Sequence, residues 1–148
     1  MKLFSLFKQE LAIDLGTANT LIIQDDKVVV DEPSIVAIDR RTNETIAVGK
    51  KAMQMHEKTH DNIVTIRPLK DGVIADYQAA ERMIEGMIKM VGNRRRFFSH
   101  MKMVICIPSG ITEVEKRAVF DTADNMESKE TYLNHEPMAA DLGNDIDE

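Results

Sequence analysis

The stretch 11-LAIDLGTANTLIIQ-24 limits what this chain can fold into more than any other. An apolar run from Leu11 to Ile13 ends on Asp14, breaks at Gly16, and leaves through small polar residues into a second run, Thr17 to Gln24. Two short β-prone runs with a glycine between them read as neighbouring strands joined by a tight turn. Gly16 lets a ligand come close to the backbone, and Thr17, Asn19 and Thr20 supply hydroxyl and amide donors beside it. Converging backbone N–H groups can cradle a phosphate chain there, with Asp14 at the strand end holding a magnesium ion through water. On pattern alone two readings stand: a phosphate loop, or an ordinary hairpin turn with polar residues.

Beyond that turn the periodicity alternates. Lys27 to Asp31 reads as a third strand after a hairpin at Asp25-Asp26. Ile35 to Asp39 and Thr45 to Val48 read as a strand pair around 40-RRTNE-44, and Lys50 to Lys58 as a short helix. The segment 63-IVTIRPLKDGVIAD-76 reads as irregular, punctuated by Pro68 and Gly72. From Asp76 the period lengthens: Tyr77, Ala80, Met83, Ile84, Met87, Ile88 and Val91 recur three or four apart, predicting a helix capped by Asp76 and ended by Gly92. Met103 to Ile107 reads as a buried strand. Thr112 and Glu115 form a capping box for the helix EVEKRAVFDTAD, Tyr132 to Asn134 a last strand, and Pro137 the first turn of a closing helix that Gly143 ends. The order implies an α/β layer with a hairpin-rich start and a small β-rich insertion.

Composition removes several functions. A chain of 148 residues fits one core, and 25 acidic against 19 basic residues give a net charge of −6, so no diffuse basic surface exists for nucleic acid. The single cysteine, Cys106, lies in an apolar run, which implies a buried inert thiol and a reduced cytosolic setting. No run reaches the roughly 18 apolar residues of a transmembrane helix, and MKLFSLFKQE has no cleavage site. The four histidines show no metal-ligand spacing, and the ten methionines fit core filling.

Five motifs then appear in order: 14-DLGTANT-20, 31-DEPS-34, 67-RPLKDGVIAD-76, 107-IPSG-110 and 136-EPMAA-140. Together they resemble the MreB family of bacterial actin homologues over essentially the whole chain. The first alone resembles the wider superfamily of actin, heat-shock chaperones and sugar kinases. The resemblance implies an actin-like, ribonuclease H-like ATPase fold with ATP and Mg2+ between two large domains. It implies cytoplasmic filaments, self-associated and peripheral on the inner face of the cell membrane, working with other cell-shape and cell-wall synthesis proteins. By motif position Thr17, Ala18 and Asn19 would touch the phosphates, Gly16 and Thr20 would shape the loop, and Asp14 would sit near the metal. Glu136 matches the residue that positions the attacking water; read by itself, it is a carboxylate at a helix start.

Two segments point to a membrane. Read as a helix, residues 1–10 put Leu3, Phe4, Leu6 and Phe7 on one side and Lys2, Ser5, Lys8 and Gln9 on the other, the pattern of an interfacial helix near anionic headgroups. The alternative is a frayed terminus packed on the domain. In 93-NRRRFFSH-100, three arginines flank Phe97 and Phe98, which match a membrane-entering hydrophobic pair in the family; otherwise both rings tuck into the core.

The family's chains are more than twice as long, and their second half holds a second glycine-rich phosphate loop, the adenine pocket and the opposite wall of the cleft. The expectation is therefore an incomplete first domain: 11–32 and 75–148 as subdomain IA, with 33–74 inserted as subdomain IB. The tail also drifts, with MESKE in place of a small, glycine-bearing stretch, Asn134 in a strand, and Asp141 and Asp145 in a helix of small residues. Such drift fits a truncated gene or a specialised short homologue. The alternatives in function are another ATPase or kinase of the superfamily, or an inert or filament-capping fragment; whether this chain alone is an enzyme stays open.

Overall fold

A computed structural model describes residues 9–58, 61–91, 101–107, 111–125 and 130–134. Leu3, Phe4, Leu6, Phe7, Phe97, Phe98, the residues 108–110, Glu136 and the helix expected from Pro137 lie outside them. In chain order the described elements are β1 (Gln9–Leu15), β2 (Asn19–Gln24), β3 (Lys27–Pro33), β4 (Val36–Asp39), β5 (Thr45–Val48), α1 (Lys50–Glu57), β6 (Ile63–Ile66), β7 (Leu69–Lys70), β8 (Val73–Ile74), α2 (Tyr77–Met90), β9 (Met101–Cys106), α3 (Glu113–Asn125) and β10 (Glu130–Asn134).

The main sheet has the order β10-β9-β1-β2-β3. β1, β2 and β3 form an antiparallel meander, while β9 lies parallel to β1 and β10 parallel to β9. Parallel neighbours need a crossover, and α2 and α3 occupy the connections that lead into β9 and β10. The β2–β3 hairpin turns on Asp25 and Asp26, with φ of 51° and 62°. Both left-handed residues match the twist a two-residue hairpin requires, and aspartate tolerates that region.

Helix α2 forms as its periodicity predicts. Asp76 caps it by accepting the Ala79 N–H at 3.0 Å, and Ala80, Met83, Ile84, Met87 and Ile88 are buried. This stripe joins Leu11, Ile13, Ile22, Met103 and Ile105, from three strands of the main sheet, in one cluster. Helix α3 opens on the expected capping box: Glu115 N–H donates to Thr112 Oγ1 at 3.2 Å, and Thr112 N–H to Glu115 Oε2 at 2.8 Å.

A second sheet, β5-β4-β6, lies between α1 and α2. Alternation along β4 sends Val36 and Ile38, with Val48 of β5, into the main core, while Ala37 packs with Ile35 and Ala52 of α1 in a small separate cluster. Gly86 allows α2 to approach: a Cβ there would meet both Val48 methyls at 2.8 Å.

One expectation needs correction. The segment 63–76 is not irregular: Ile63–Ile66 is a strand paired with β4, and β7 and β8 form a hairpin around Asp71-Gly72. Pro68 separates the two, and its carbonyl accepts the N–H groups of Ala75 at 2.8 Å and Asp76 at 3.3 Å, closing the hairpin onto the start of α2. The second strand also begins at Asn19 rather than Thr17. Among the described residues no helix is long and apolar enough to cross a membrane.

Candidate functional site: the β1–β2 turn and its supports

The antiparallel register pairs Leu15 with Thr20, so residues 16–19 form the turn. Thr17, Ala18 and Asn19 are exposed, Gly16 is half-buried and Thr20 is fully buried. Gly16 is required by close approach: a Cβ there would collide with the Asn19 carbonyl. The turn is a hairpin whose tip exposes three consecutive residues.

Asp14 is the last residue but one of β1, and its cross-strand partners are Leu21 and Cys106. These neighbours put it on the sheet face that also carries Ala12 and Ile23, opposite the main core. Cys106 is buried, as expected. Half-burial among these groups raises the Asp14 carboxyl above its ordinary pKa, by desolvation of its charged form. Among the described residues no group of three or more His, Cys, Asp or Glu side chains gathers there. One carboxylate suits a metal that keeps most of its water shell, as magnesium does.

The turn is held from two directions that reading the sequence did not identify. From β3, Asp31 accepts the Asn19 side-chain amide at 3.2 Å, and Ser34 N–H donates to the Ala18 carbonyl at 2.8 Å. The Ser34 hydroxyl donates to the Gly16 carbonyl at 2.6 Å and lies 2.8 Å from Thr20 Oγ1. From the β7–β8 hairpin, Gly72 N–H donates to Thr17 Oγ1 at 3.0 Å. The signal was present as the motifs 31-DEPS-34 and 67-RPLKDGVIAD-76, but neither motif says which turn it touches. Glu32 works in the other direction, accepting the Lys50 N–H at 2.7 Å at the start of α1. Thus 31–34 joins the exposed turn to the second sheet and its helix. Of the four histidines only His56 falls within the described residues, where its Nδ1 meets Thr65 Oγ1 at 2.6 Å.

The MreB/Mbl protein family model matches residues 8–147. The cell shape-determining protein Mbl of Bacillus subtilis is 43% identical over 139 residues, which span 93% of this chain and 41% of that protein. The cell shape-determining protein MreB of Haemophilus influenzae is 44% identical over 147 residues, 96% of this chain and 42% of that one. Among solved structures, MreB 5 of Spiroplasma citri bound to AMPPNP superposes with a TM-score of 0.74 at 35% identity, covering 92% of this chain and 41% of that one. The MamK double helical filament gives a TM-score of 0.70 at 20% identity, covering 93% of this chain and 44% of that chain, and shows the fold alone. This chain spans about two-fifths of the length of the curated relatives it matches. Its α/β fold is the actin-like fold of these neighbours, and the chain belongs to the MreB/Mbl family of cell shape-determining proteins.

Proposed function

We propose that this chain carries the first phosphate-facing wall of an ATP site in an MreB-type cytoskeletal protein, which forms filaments on the cytoplasmic face of the cell membrane. The observation that carries the proposal is the exposed Thr17-Ala18-Asn19 tip, held on its inner side by Ser34 and beside it by Gly72. A turn fixed this way presents donors without reordering on binding, which is what recognition of a polyphosphate needs. In this reading Thr17, Ala18 and Asn19 contact phosphate oxygens, Gly16 and Thr20 shape the loop, and Asp14 holds Mg2+ through water. Occupation by the cation would favour the charged Asp14 carboxylate and offset the desolvation that raises its pKa. Glu136, by its motif position, would position the attacking water.

Support for nucleotide binding comes from the relative solved with AMPPNP and, in a second structure, with ADP. Self-association is what membership of the family implies, and MamK, similar to this chain in fold, is solved as a double helical filament. Residues 11–32 and 75–148 would form subdomain IA, 33–74 subdomain IB, and 1–10 with Phe97 and Phe98 a membrane anchor. Other cell-shape and cell-wall synthesis proteins would be further partners.

The test is titration of 15N-labelled chain with Mg·ATP. The amides of Thr17 to Thr20 should shift at millimolar nucleotide, since one wall supplies only part of the donors, and Asp14→Asn should remove the magnesium dependence. No shift at those amides at saturating Mg·ATP would refute the proposed site.

A further inference from the structure

The described residues bury three polar side chains completely or nearly so: Thr20, Ser34 and Thr122. Thr122 bonds within its own helix, to the Ala118 carbonyl at 2.8 Å. Thr20 and Ser34 instead bond to each other across two strands, both at 0% exposure, immediately beneath the exposed turn. A serine hydroxyl has one proton, and the 2.6 Å bond to the Gly16 carbonyl uses it. Thr20 must then donate to Ser34 Oγ, giving a directed relay from Thr20 to Ser34 to the Gly16 carbonyl, in which each bond polarises the next.

The relay fixes the direction of the loop's peptides. Every described peptide bond is trans, so each carbonyl points opposite the N–H that follows it. Ser34 holds the Gly16 carbonyl through its hydroxyl and the Ala18 carbonyl through its amide. The N–H groups of Thr17 and Asn19 are therefore turned away from Ser34, on the two exposed residues that flank Ala18. A free turn has no reason to keep two alternate peptides pointing the same way. An unpinned carbonyl that rotated to the outer side would instead repel an anion.

We propose that Ser34 is the positioning residue of the phosphate loop: it holds the Gly16 and Ala18 carbonyls inward so that the Thr17 and Asn19 N–H groups meet a polyphosphate. The inference rests on the ATP reading above and adds the residue that sets the loop's polarity. Ser34 touches no ligand; it acts through the backbone of 16–19.

The experiment uses Ser34→Ala and Ser34→Cys in the 148-residue chain. Cysteine keeps the side-chain shape with a far weaker donor, so it retains a folded protein if alanine does not. In ligand-free samples, 15N relaxation dispersion should show exchange broadening at Thr17 in the variants but not in the original chain, with strand amides of Leu11 to Ile13 unchanged in all. Titration with Mg·ATP and with inorganic tripolyphosphate should show affinity reduced at least about tenfold in Ser34→Cys at an unchanged thermal midpoint. Equal dispersion and equal affinity in the variants would overturn the positioning role even with nucleotide binding intact. If the original chain bound neither ligand while Ser34→Cys still broadened Thr17, the ATP reading would fall and Ser34 would be a structural brace only, which also overturns the proposal.

Discussion

At the scale of single residues, two glycines of positive φ separate conformational cost from collision. Gly49 precedes α1 with φ 68° and ψ −136°, a region that side-chain-bearing residues avoid, and a Cβ there would run into the Glu32 carboxylate that holds the Lys50 N–H. Gly72 has φ 74°, but a Cβ on it would meet nothing within 4 Å. Gly72→Ala should therefore cost about 1 kcal/mol, the left-handed penalty alone. Gly49→Ala should cost about 3 kcal/mol, because it also displaces the carboxylate from α1. Urea titrations of the two variants check the ranking, and equal losses would mean that Glu32 does not hold α1. Asp14 gives a pH prediction of definite sign. Its carboxyl, like that of Glu81, is raised by burial, and Glu85 and Asp121 push Glu81 further up against a lowering influence of the neighbouring Thr122 side chain. A group raised in the folded state holds its proton longer there than in the unfolded chain, so stability falls as pH rises through the window between the two pKa values. The ligand-free chain should melt at higher temperature on mild acidification from neutral pH, and Asp14→Asn should reduce that gain while raising the midpoint at neutral pH.

At the scale of elements, α2 shows packing overruling propensity. Alanine is better than glycine in a helix interior by about 1 kcal/mol, so Gly86→Ala should stabilise if the helix were all that mattered. The new Cβ, however, would sit 2.8 Å from both methyls of Val48, itself buried, and overpacking of this kind costs about 1–3 kcal/mol. The net expectation is a loss of up to about 2 kcal/mol, turned into a gain relative to the single change when Val48→Ala makes room; a double-mutant cycle by urea denaturation measures the coupling. The same helix also shows what reading the sequence can reach. Its period of three to four, its Asp76 cap and its apolar stripe are local signals, and each is present in the fold. The capping box of α3 and the Asp25-Asp26 hairpin are legible for the same reason. β6 is not legible in the sequence because its four residues gain strand character from pairing with β4, whose partner residues lie up to thirty positions away, as with Val36 and Ile66. The site divides along the same line. The Gly16 turn can be read directly, whereas Ser34 lies eighteen residues from Gly16 and Gly72 fifty-five from Thr17, so their roles exist only once the chain has folded.

At the scale of the whole molecule the question is how a chain with net charge −6 could stay on an anionic membrane. Long-range attraction would have the wrong sign, so any adhesion must come from local apolar insertion backed by cations within a Debye length of the headgroups, about 8 Å at physiological salt. The sequence offers two such places, Leu3, Phe4, Leu6 and Phe7 beside Lys2 and Lys8, and Phe97-Phe98 after Arg94, Arg95 and Arg96. Gln9 and Met101, the residues that follow these segments, are paired neighbours at the start of the parallel strands β1 and β9. We propose that the two segments act together because the strands that follow them start side by side, so that insertion of one would favour insertion of the other. The chain should co-sediment with vesicles rich in phosphatidylglycerol and much less with neutral ones. Removing residues 1–9, or changing Phe97 and Phe98 to Ser, should each weaken binding, and the combined variant should lose more than the two single effects added together. Added salt should reduce but not abolish binding of the original chain, because the apolar part is not screened. Unchanged co-sedimentation of the combined variant would refute the anchor, and purely additive losses would mean that the two segments meet the membrane independently even though the strands that follow them are neighbours.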